Sequence, residues 1–154
     1  HMIQKTGLTV EEHQTRTVQN LLRLRQLTND VHFIPVLQGQ TLQDYFNHFE
    51  MFEAAGVDLR SERVVGVGSV CRRQHTDEIG VIMKSLHAKG LKLHGFGVKR
   101  EGITKYKQFL TSSDSMAWSL GARYKTKDPN CKSDALRCNN CLHTALEWRS
   151  EVIA

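Results

Sequence analysis

Three cysteines and one histidine near the C-terminal end of the chain have the residue types and the spacing of a metal site. They follow the pattern Cys131-x6-Cys138-x2-Cys141-x-His143. Three thiolates and one imidazole are a ligand set of closed structural zinc sites, and Cys-x2-Cys is a frequent core of such sites. Free thiols, or a fourth ligand from elsewhere, are the alternatives. We predict a structural Zn²⁺ at these four residues, where it would hold an irregular segment against the following helix.

A single carboxylate, Asp114, lies in the run TSSDSMAWS, residues 111–119, among small and apolar residues. It is either a reactive group displayed at the end of a strand or a turn residue beside a short element. Because the neighbouring serines are typical of a turn, the residues by themselves favour the second interpretation.

A third candidate is Gln38, which ends an apolar run and is followed by Gly39. Its amide can both donate and accept hydrogen bonds, which suits recognition of a polar ligand. A strand-end glutamine that faces solvent fits the pattern equally well. His94, by contrast, lies within a predicted strand, where a histidine is more often a satisfied core residue than a catalyst.

The elements that would position these residues alternate between helix and strand. Thr9 and Glu12 have the spacing of a capping box, which predicts a helix from there to about residue 27. The predicted strands are 32–39, 63–69, 91–98 and the segment SDSMAWS, and the later helices begin near residues 41, 76, 101 and 140. This alternation predicts an α/β fold of parallel βα repeats, either half of an eight-stranded barrel or a small open sheet. Polar groups that follow the strands would then converge at one edge, although glycines at these positions are also typical of tight turns.

The composition is that of one globular domain, with 154 residues, 40% of them hydrophobic and 24% charged. The apolar runs are much shorter than the roughly 20 residues that cross a bilayer, and no signal peptide is visible. We therefore expect no membrane association and a cytoplasmic location. The net charge of +5 is spread along the chain, so it permits a polyanionic partner without requiring one. Residues 1–2 are expected to be a cloning remnant.

Six strings in order resemble one known family. HFIPVLQG, VVGVGSVCRRQ, LHGFGVK and SSDSMAWS are similar to queuine tRNA-ribosyltransferase-like proteins that act on DNA, the deazapurine DNA-modification transglycosylases of phages and bacterial genomic islands. KTGLTVEEHQTRTV and CNNCLHTALEWR extend the resemblance to nearly the whole chain. No single string would suffice, but six in the right order are fairly specific.

The resemblance implies the C-terminal half of a (β/α)₈ TIM-type barrel, with the strands here as its fifth to eighth. Residues 3–120 would form this half-barrel, and residues 121–154 a segment with the Cys/His zinc element and a final helix. Enzymes of this type also use aspartates from the first half of the barrel, which this chain does not contain. We expect a truncation, a separate subunit or a half that joins another chain, and hence self-association or an N-terminal half-barrel partner, since a lone half-barrel would expose two sheet edges.

The resemblance also implies roles for particular residues. Asp114 falls on the nucleophilic aspartate, which would form a covalent bond to the deoxyribose while guanine is exchanged for a 7-deazaguanine such as 7-cyano-7-deazaguanine. The residues implied in binding the base are Gln38, Gly39, Gly66, Gly68 and Ser69, although the classical tRNA enzymes have Gly-Gly where this chain has Gly-Val-Gly. Arg72, Arg73 and Lys99 would contact phosphates of a nucleotide extruded from the duplex, or else belong to solvated helix entries.

Two other functions stay open at this point. The same exchange on tRNA is the nearest enzymatic alternative to an exchange on DNA. A non-catalytic, zinc-bearing half-barrel that binds a partner or nucleic acid belongs to a different class. The two classes differ in whether an acid/base carboxylate accompanies Asp114.

Overall fold

The structure is a computed structural model that describes residues 5–70, 73, 76–132 and 134–153. Its strands are β1 (Val36–Leu37), β2 (Val65–Val67), β3 (Leu93–Gly95) and β4 (Leu110–Ser113). Its main α-helices are α1 (Val10–Leu27), α2 (Leu42–Ala54), α3 (Asp77–Ala88), α4 (Arg100–Tyr106), α5 (Ala117–Ala122) and α6 (Leu142–Ile153). None of the helices in the described part of the chain is long and apolar enough to cross a membrane.

The four strands form one parallel sheet in the order β1-β2-β3-β4. Leu37 is in register with Val67, Val67 with Gly95, and Gly95 with Ser113. Each strand is joined to the next by a helical crossover, as parallel pairing requires. The predicted α/β fold of parallel βα repeats is therefore confirmed. The described residues form one sheet of four strands and do not by themselves form a closed barrel.

The helices cover one face of this sheet. Leu37, Val65, Val67 and Leu93 point toward them and are fully buried in a core that α1, α2 and α3 complete. Because successive side chains of a strand point to opposite faces, the intervening residues belong to the other face. There Val36 and His94 are only half-buried, and Ser112 is exposed.

The predicted helix starts are confirmed where the capping residues are strongest. Thr9 Oγ1 accepts a hydrogen bond from the Glu12 N–H, and Glu12 Oε2 accepts one from the Thr9 N–H at 2.7 Å. Thr41 and Asp44 form the same reciprocal pair at the start of α2. Two free backbone donors are satisfied at each helix, so both starts are fixed locally.

The predicted strands 63–69 and 91–98 are confirmed in shorter form, and the other two predicted strands differ more strongly from the structure. The prediction that SDSMAWS is a strand is wrong: β4 ends at Ser113, and α5 begins at Ala117. Ser115 Oγ accepts a hydrogen bond from the Ala117 N–H, so a serine turn separates the two elements. The predicted strand 32–39 is reduced to β1, which begins directly after Pro35, a residue without an N–H for the ladder.

Candidate functional site

The carboxyl ends of the four parallel strands meet at one edge of the sheet. Gln38 follows β1, Gly68 follows β2, Phe96 follows β3 and Asp114 follows β4. The register places these four residues in one row, and period-two alternation puts them on the face that the helices leave uncovered. The structure therefore brings Asp114, Gln38 and Gly68 to one edge and one face, and Gly66 lies on the same face. Gly39 and Ser69 follow at the same edge.

The carboxylate of Asp114 is held by the neighbouring strand and not by its own turn. Its Oδ1 accepts a hydrogen bond from the Gly97 N–H at 3.1 Å and lies 3.2 Å from His94 Nε2. The side chain is 57% exposed, and its second oxygen has no hydrogen bond to a described residue. The backbone of the adjacent turn is instead capped by Ser115, so a capping role does not explain Asp114.

His94 is a site residue that the sequence interpretation missed. Its Nδ1 lies 2.8 Å from Ser112 Oγ, and its side chain is 19% exposed. Both ring nitrogens have partners, as expected of a satisfied histidine, but the ring is partly exposed and its partners are groups near the end of β4. The three groups lie 18 and 20 residues apart in sequence, and only the parallel register of β3 and β4 brings them together.

An aromatic ring lies beside this cluster on the same face. Phe96 is 36% exposed and packs edge-on against the His94 ring, with 4.7 Å between centroids. A Cβ atom at Gly66 would come within 2.5 Å of the Phe96 ring. Gly66 therefore leaves room for the ring, which is a packing role in addition to the predicted base contact.

Gln38 has a rigidly held backbone. Its N–H donates to His48 Nδ1 at 3.0 Å, and its carbonyl accepts from Gln14 Nε2 at 2.7 Å. The Gln38 side chain lies over Gly68, whose Cβ would meet its Cγ at 3.2 Å. The side-chain amide makes no hydrogen bond to the described residues, so it is available to a ligand.

His48 is fully buried, and burial lowers its pKa to about 4. The unfolded histidine takes up a proton near its ordinary pKa of 6.5, whereas the folded one resists until about pH 4. We therefore expect this residue to reduce the free energy of unfolding by up to about 3 kcal/mol as the pH falls from 6.5 to 4. Urea unfolding across this range would measure the loss. His48→Gln, which can still accept from the Gln38 N–H, should reduce the dependence of the free energy of unfolding on pH. The control His87→Gln, at an exposed position, should leave that dependence unchanged. An unchanged pH dependence in His48→Gln would contradict the assignment.

The remaining predicted base-binding residues shape the strand ends. A Cβ at Gly39 would lie 2.6 Å from the Cβ of Asp44, so glycine is required where α2 begins. The Gly68 carbonyl accepts from the buried Tyr45 hydroxyl at 2.7 Å. Ser69 has a φ of 62°, a left-handed backbone that costs free energy for any residue other than glycine.

The predicted phosphate contacts receive unequal support. Arg73 donates to the Gln40 carbonyl and pairs with Glu78 at 2.7 Å, so its guanidinium is engaged within the fold. Lys99 is exposed and directly precedes α4. Arg72 lies outside the described residues.

A half-open cleft of about 450 Å³ runs along β4 and reaches the candidate nucleophile. Its lining includes Ser112 and Asp114, Trp118 of α5, and Trp148 and Val152 of α6. The outer edge of β4 pairs with no other strand among the described residues. The site thus adjoins both an apolar cleft and a free sheet edge.

The three C-terminal cysteines pack into a small cluster of their own. Cys131 and Cys138 are buried, and the Sγ atoms of Cys131 and Cys141 are 3.3 Å apart. Cys138 Sγ accepts a hydrogen bond from the Asp128 N–H at 3.4 Å. The N–H of Thr144, at the start of α6, and contact with Cys131 lower the pKa of Cys141 to about 7. A depressed thiol pKa favours the thiolate form that binds metal.

His143 lies next to the cysteine cluster but faces carboxylates. Its Nε2 is 3.6 Å from Asp128 Oδ2 and 3.2 Å from Glu147 Oε1. Within the described part of the chain, these three side chains form the one set of three potential ligand atoms within 4.8 Å of one another. Asp128 is therefore a further ligand candidate that the cysteine spacing did not indicate. Within the described residues, the predicted set of Cys131, Cys138, Cys141 and His143 is thus not brought together as one group: His143 lies with Asp128 and Glu147, and the cysteines lie nearby.

The chain matches one family model over its whole length. The model is described as DpdA, DeoxyPurine in DNA protein A, and it matches residues 1–154. No curated protein and no solved structure matches the chain.

Proposed function

The chain belongs to the DpdA family, deoxypurine in DNA protein A, and has a role in the deazapurine modification of DNA; on this premise we propose that it replaces guanine in DNA with a 7-deazaguanine, such as 7-cyano-7-deazaguanine. The observation that carries the proposal is the carboxylate of Asp114 at the carboxyl end of β4. One of its oxygens is held by two neighbours, and the other is left for a reaction. A pentosyltransferase of this type needs a nucleophile that holds the sugar between the two bases.

The exchange proceeds in two displacements. In the first, the free oxygen of Asp114 bonds to C1′ of the deoxyribose, the bond from C1′ to guanine breaks, and guanine leaves with the bonding electrons and takes a proton from a general acid. In the second, the ring nitrogen of the 7-deazaguanine bonds to C1′ and gives its proton to the conjugate base of that acid, while the ester bond from C1′ to Asp114 breaks and the carboxylate takes the bonding electrons. A carboxylate suits both steps because it is a competent nucleophile and a stable leaving group.

The base is read at the carboxyl ends of β1 and β2 in this proposal. Gln38 supports it, because its rigid backbone and unoccupied amide are properties expected of a group that recognises a guanine-like edge. Gly66, Gly68 and Ser69 would let a flat base approach the backbone. Gly39 would contribute indirectly, because its lack of a side chain lets α2 begin close to the end of β1.

Access to C1′ calls for extrusion of the target nucleotide from the duplex. Lys99, exposed after β3, is the candidate phosphate contact whose position supports this step best. Arg72 and Arg73 are also proposed as phosphate contacts, from the sequence resemblance alone. Arg73 has less support, because its guanidinium already bonds to Gln40 and Glu78.

We propose that the sheet is half of a (β/α)₈ barrel and that a second half completes the site. The sequential parallel order, the uncovered face and the free edge of β4 support this arrangement. Among the described residues no carboxylate other than Asp114 directly follows a strand, so the general acid is assigned to the partner. The partner is an N-terminal half-barrel or a second copy of this chain.

A structural zinc ion is the proposed cofactor. Cys131, Cys138 and Cys141 supply thiolates, and His143 supplies the fourth ligand in the proposed set. Its role is to fix the segment 123–141, which has no helix or strand among its described residues, against α6.

The proposal is tested by incubating the purified chain with duplex DNA and labelled guanine, alone and with an N-terminal half-barrel protein. We expect label to enter the DNA, and an excess of the 7-deazaguanine to release it. Asp30→Asn, which changes an exposed carboxylate in the connection between α1 and β1, is the matched control and should exchange as the unmodified chain does.

Three results would overturn the proposal in different ways. Incorporation into tRNA but not DNA would favour the alternative substrate. DNA or partner binding without incorporation under either condition would favour a non-catalytic subunit. No binding and no incorporation would remove the nucleic-acid function from this chain.

A further inference from the structure

The hydrogen bonds around His94 assign different tasks to the two oxygens of Asp114. Oδ1 lies 3.2 Å from His94 Nε2 and 3.1 Å from the Gly97 nitrogen. An ionised carboxylate can only accept hydrogen bonds, so His94 Nε2 must carry a proton to pair with it. Oδ1 is thus held by two donors from the end of β3, while Oδ2 has no partner among the described residues.

The imidazole is itself fixed from two other directions. Nδ1 pairs with the Ser112 hydroxyl at 2.8 Å, and that hydroxyl can donate to it or accept from it. Phe96 packs edge-on against the ring at 4.7 Å. Both ring nitrogens have partners, so the ring acts on Asp114 and not on a substrate.

We propose that His94 is a positioning residue, which donates its Nε2 proton to Oδ1 of Asp114 and thereby presents Oδ2 to the sugar carbon. This inference rests on the proposed base exchange. A carboxylate at the end of a strand can rotate about two side-chain bonds, and only some orientations point an oxygen along the line of attack. Because two donors on one oxygen define that orientation before substrate arrives, His94 lowers the cost of reaching the reactive geometry.

Exchange kinetics test this role with a pair of variants. We expect His94→Leu, which lacks a donor, to lower kcat by roughly 10- to 100-fold and to change the KM for the incoming base by less than about twofold. His94→Gln, which keeps an N–H donor, should recover most of that loss. His87→Leu is the matched control at an exposed position. Unaltered kcat in His94→Leu, or equal losses in both His94 variants, would overturn the proposal.

Nitrogen NMR of the imidazole provides a readout that does not depend on activity. In the folded chain at neutral pH, we expect a proton on Nε2 of His94, and a shift of its resonance in Asp114→Ala, which removes the acceptor. A ring that carries its proton only on Nδ1, or that does not respond to loss of the Asp114 carboxylate, contradicts the inference. If the unmodified chain exchanges no base with or without a partner, the proposed function fails while this measurement still decides whether His94 holds Asp114.

Discussion

Replacing Asp114 with asparagine should abolish base exchange and every covalent DNA adduct while leaving the fold intact. The substitution keeps the shape of the side chain and an oxygen that can accept from Gly97 and His94, but it removes the carboxylate that would bond to C1′. We expect the exchange rate to fall by at least roughly 1,000-fold, the scale seen when a nucleophile is removed. The side chain is 57% exposed, so little stability should be lost.

The measurement has two parts. Incorporation of labelled guanine gives the rate, and denaturing electrophoresis of quenched reactions detects protein bonded to DNA. Asp30→Asn is again the matched control. Retained exchange in Asp114→Asn would remove this residue from the mechanism, and a retained adduct would mean that another side chain is the nucleophile.

On the zinc proposal, replacing Cys138 with serine should release the metal and unfold the C-terminal segment. Cys138 is 4% exposed and packs in a cluster with Ala122, Cys131 and Cys141, which includes no large apolar side chain among the described residues. Without metal, this segment has little buried apolar area to hold it. Structural zinc sites contribute several kcal/mol to folding, so we expect a clear fall in thermal stability and in zinc content.

Metal analysis and thermal unfolding with and without a chelator measure this effect. Asn140→Ser, an exposed change beside the cysteines, is the control and should keep its zinc. His143→Gln and Asp128→Asn together identify the fourth ligand, since the one that ligates should lower zinc affinity more. Unmodified protein that is folded and free of metal would refute the zinc proposal.

The helices and the parallel repeats were predictable because their signals are local. The pairs Thr9–Glu12 and Thr41–Asp44 fix two helix starts within four residues each. The fourth strand was misplaced because SDSMAWS combines a serine turn with apolar residues, and Leu110-Thr-Ser-Ser, which forms β4, carries a weaker apolar pattern. Only pairing with β3 makes that segment a strand.

The candidate site was predictable only in part. Asp114 was singled out by its setting and its resemblance, but its partner His94 was not, because the contact depends on the register between two strands. His94 lies two positions before Phe96, the residue that follows β3, so the two side chains share a face of the sheet. A polar residue at this spacing from the end of a parallel strand is a signal that could have indicated His94. The hydrogen bond from the Gln38 N–H to His48 likewise depends on how α2 packs against β1. The spacing of these residues in the sequence does not reveal it.

The single free oxygen of Asp114 has a stereochemical consequence for the proposed reaction. The same atom would enter on one face of the sugar and later depart from it, so the anomeric carbon would be inverted twice. The new base would then occupy the β-configuration of the old one. The phosphodiester backbone would not be cut at any stage of this reaction, and the modified strand would return to its helix without needing a ligase.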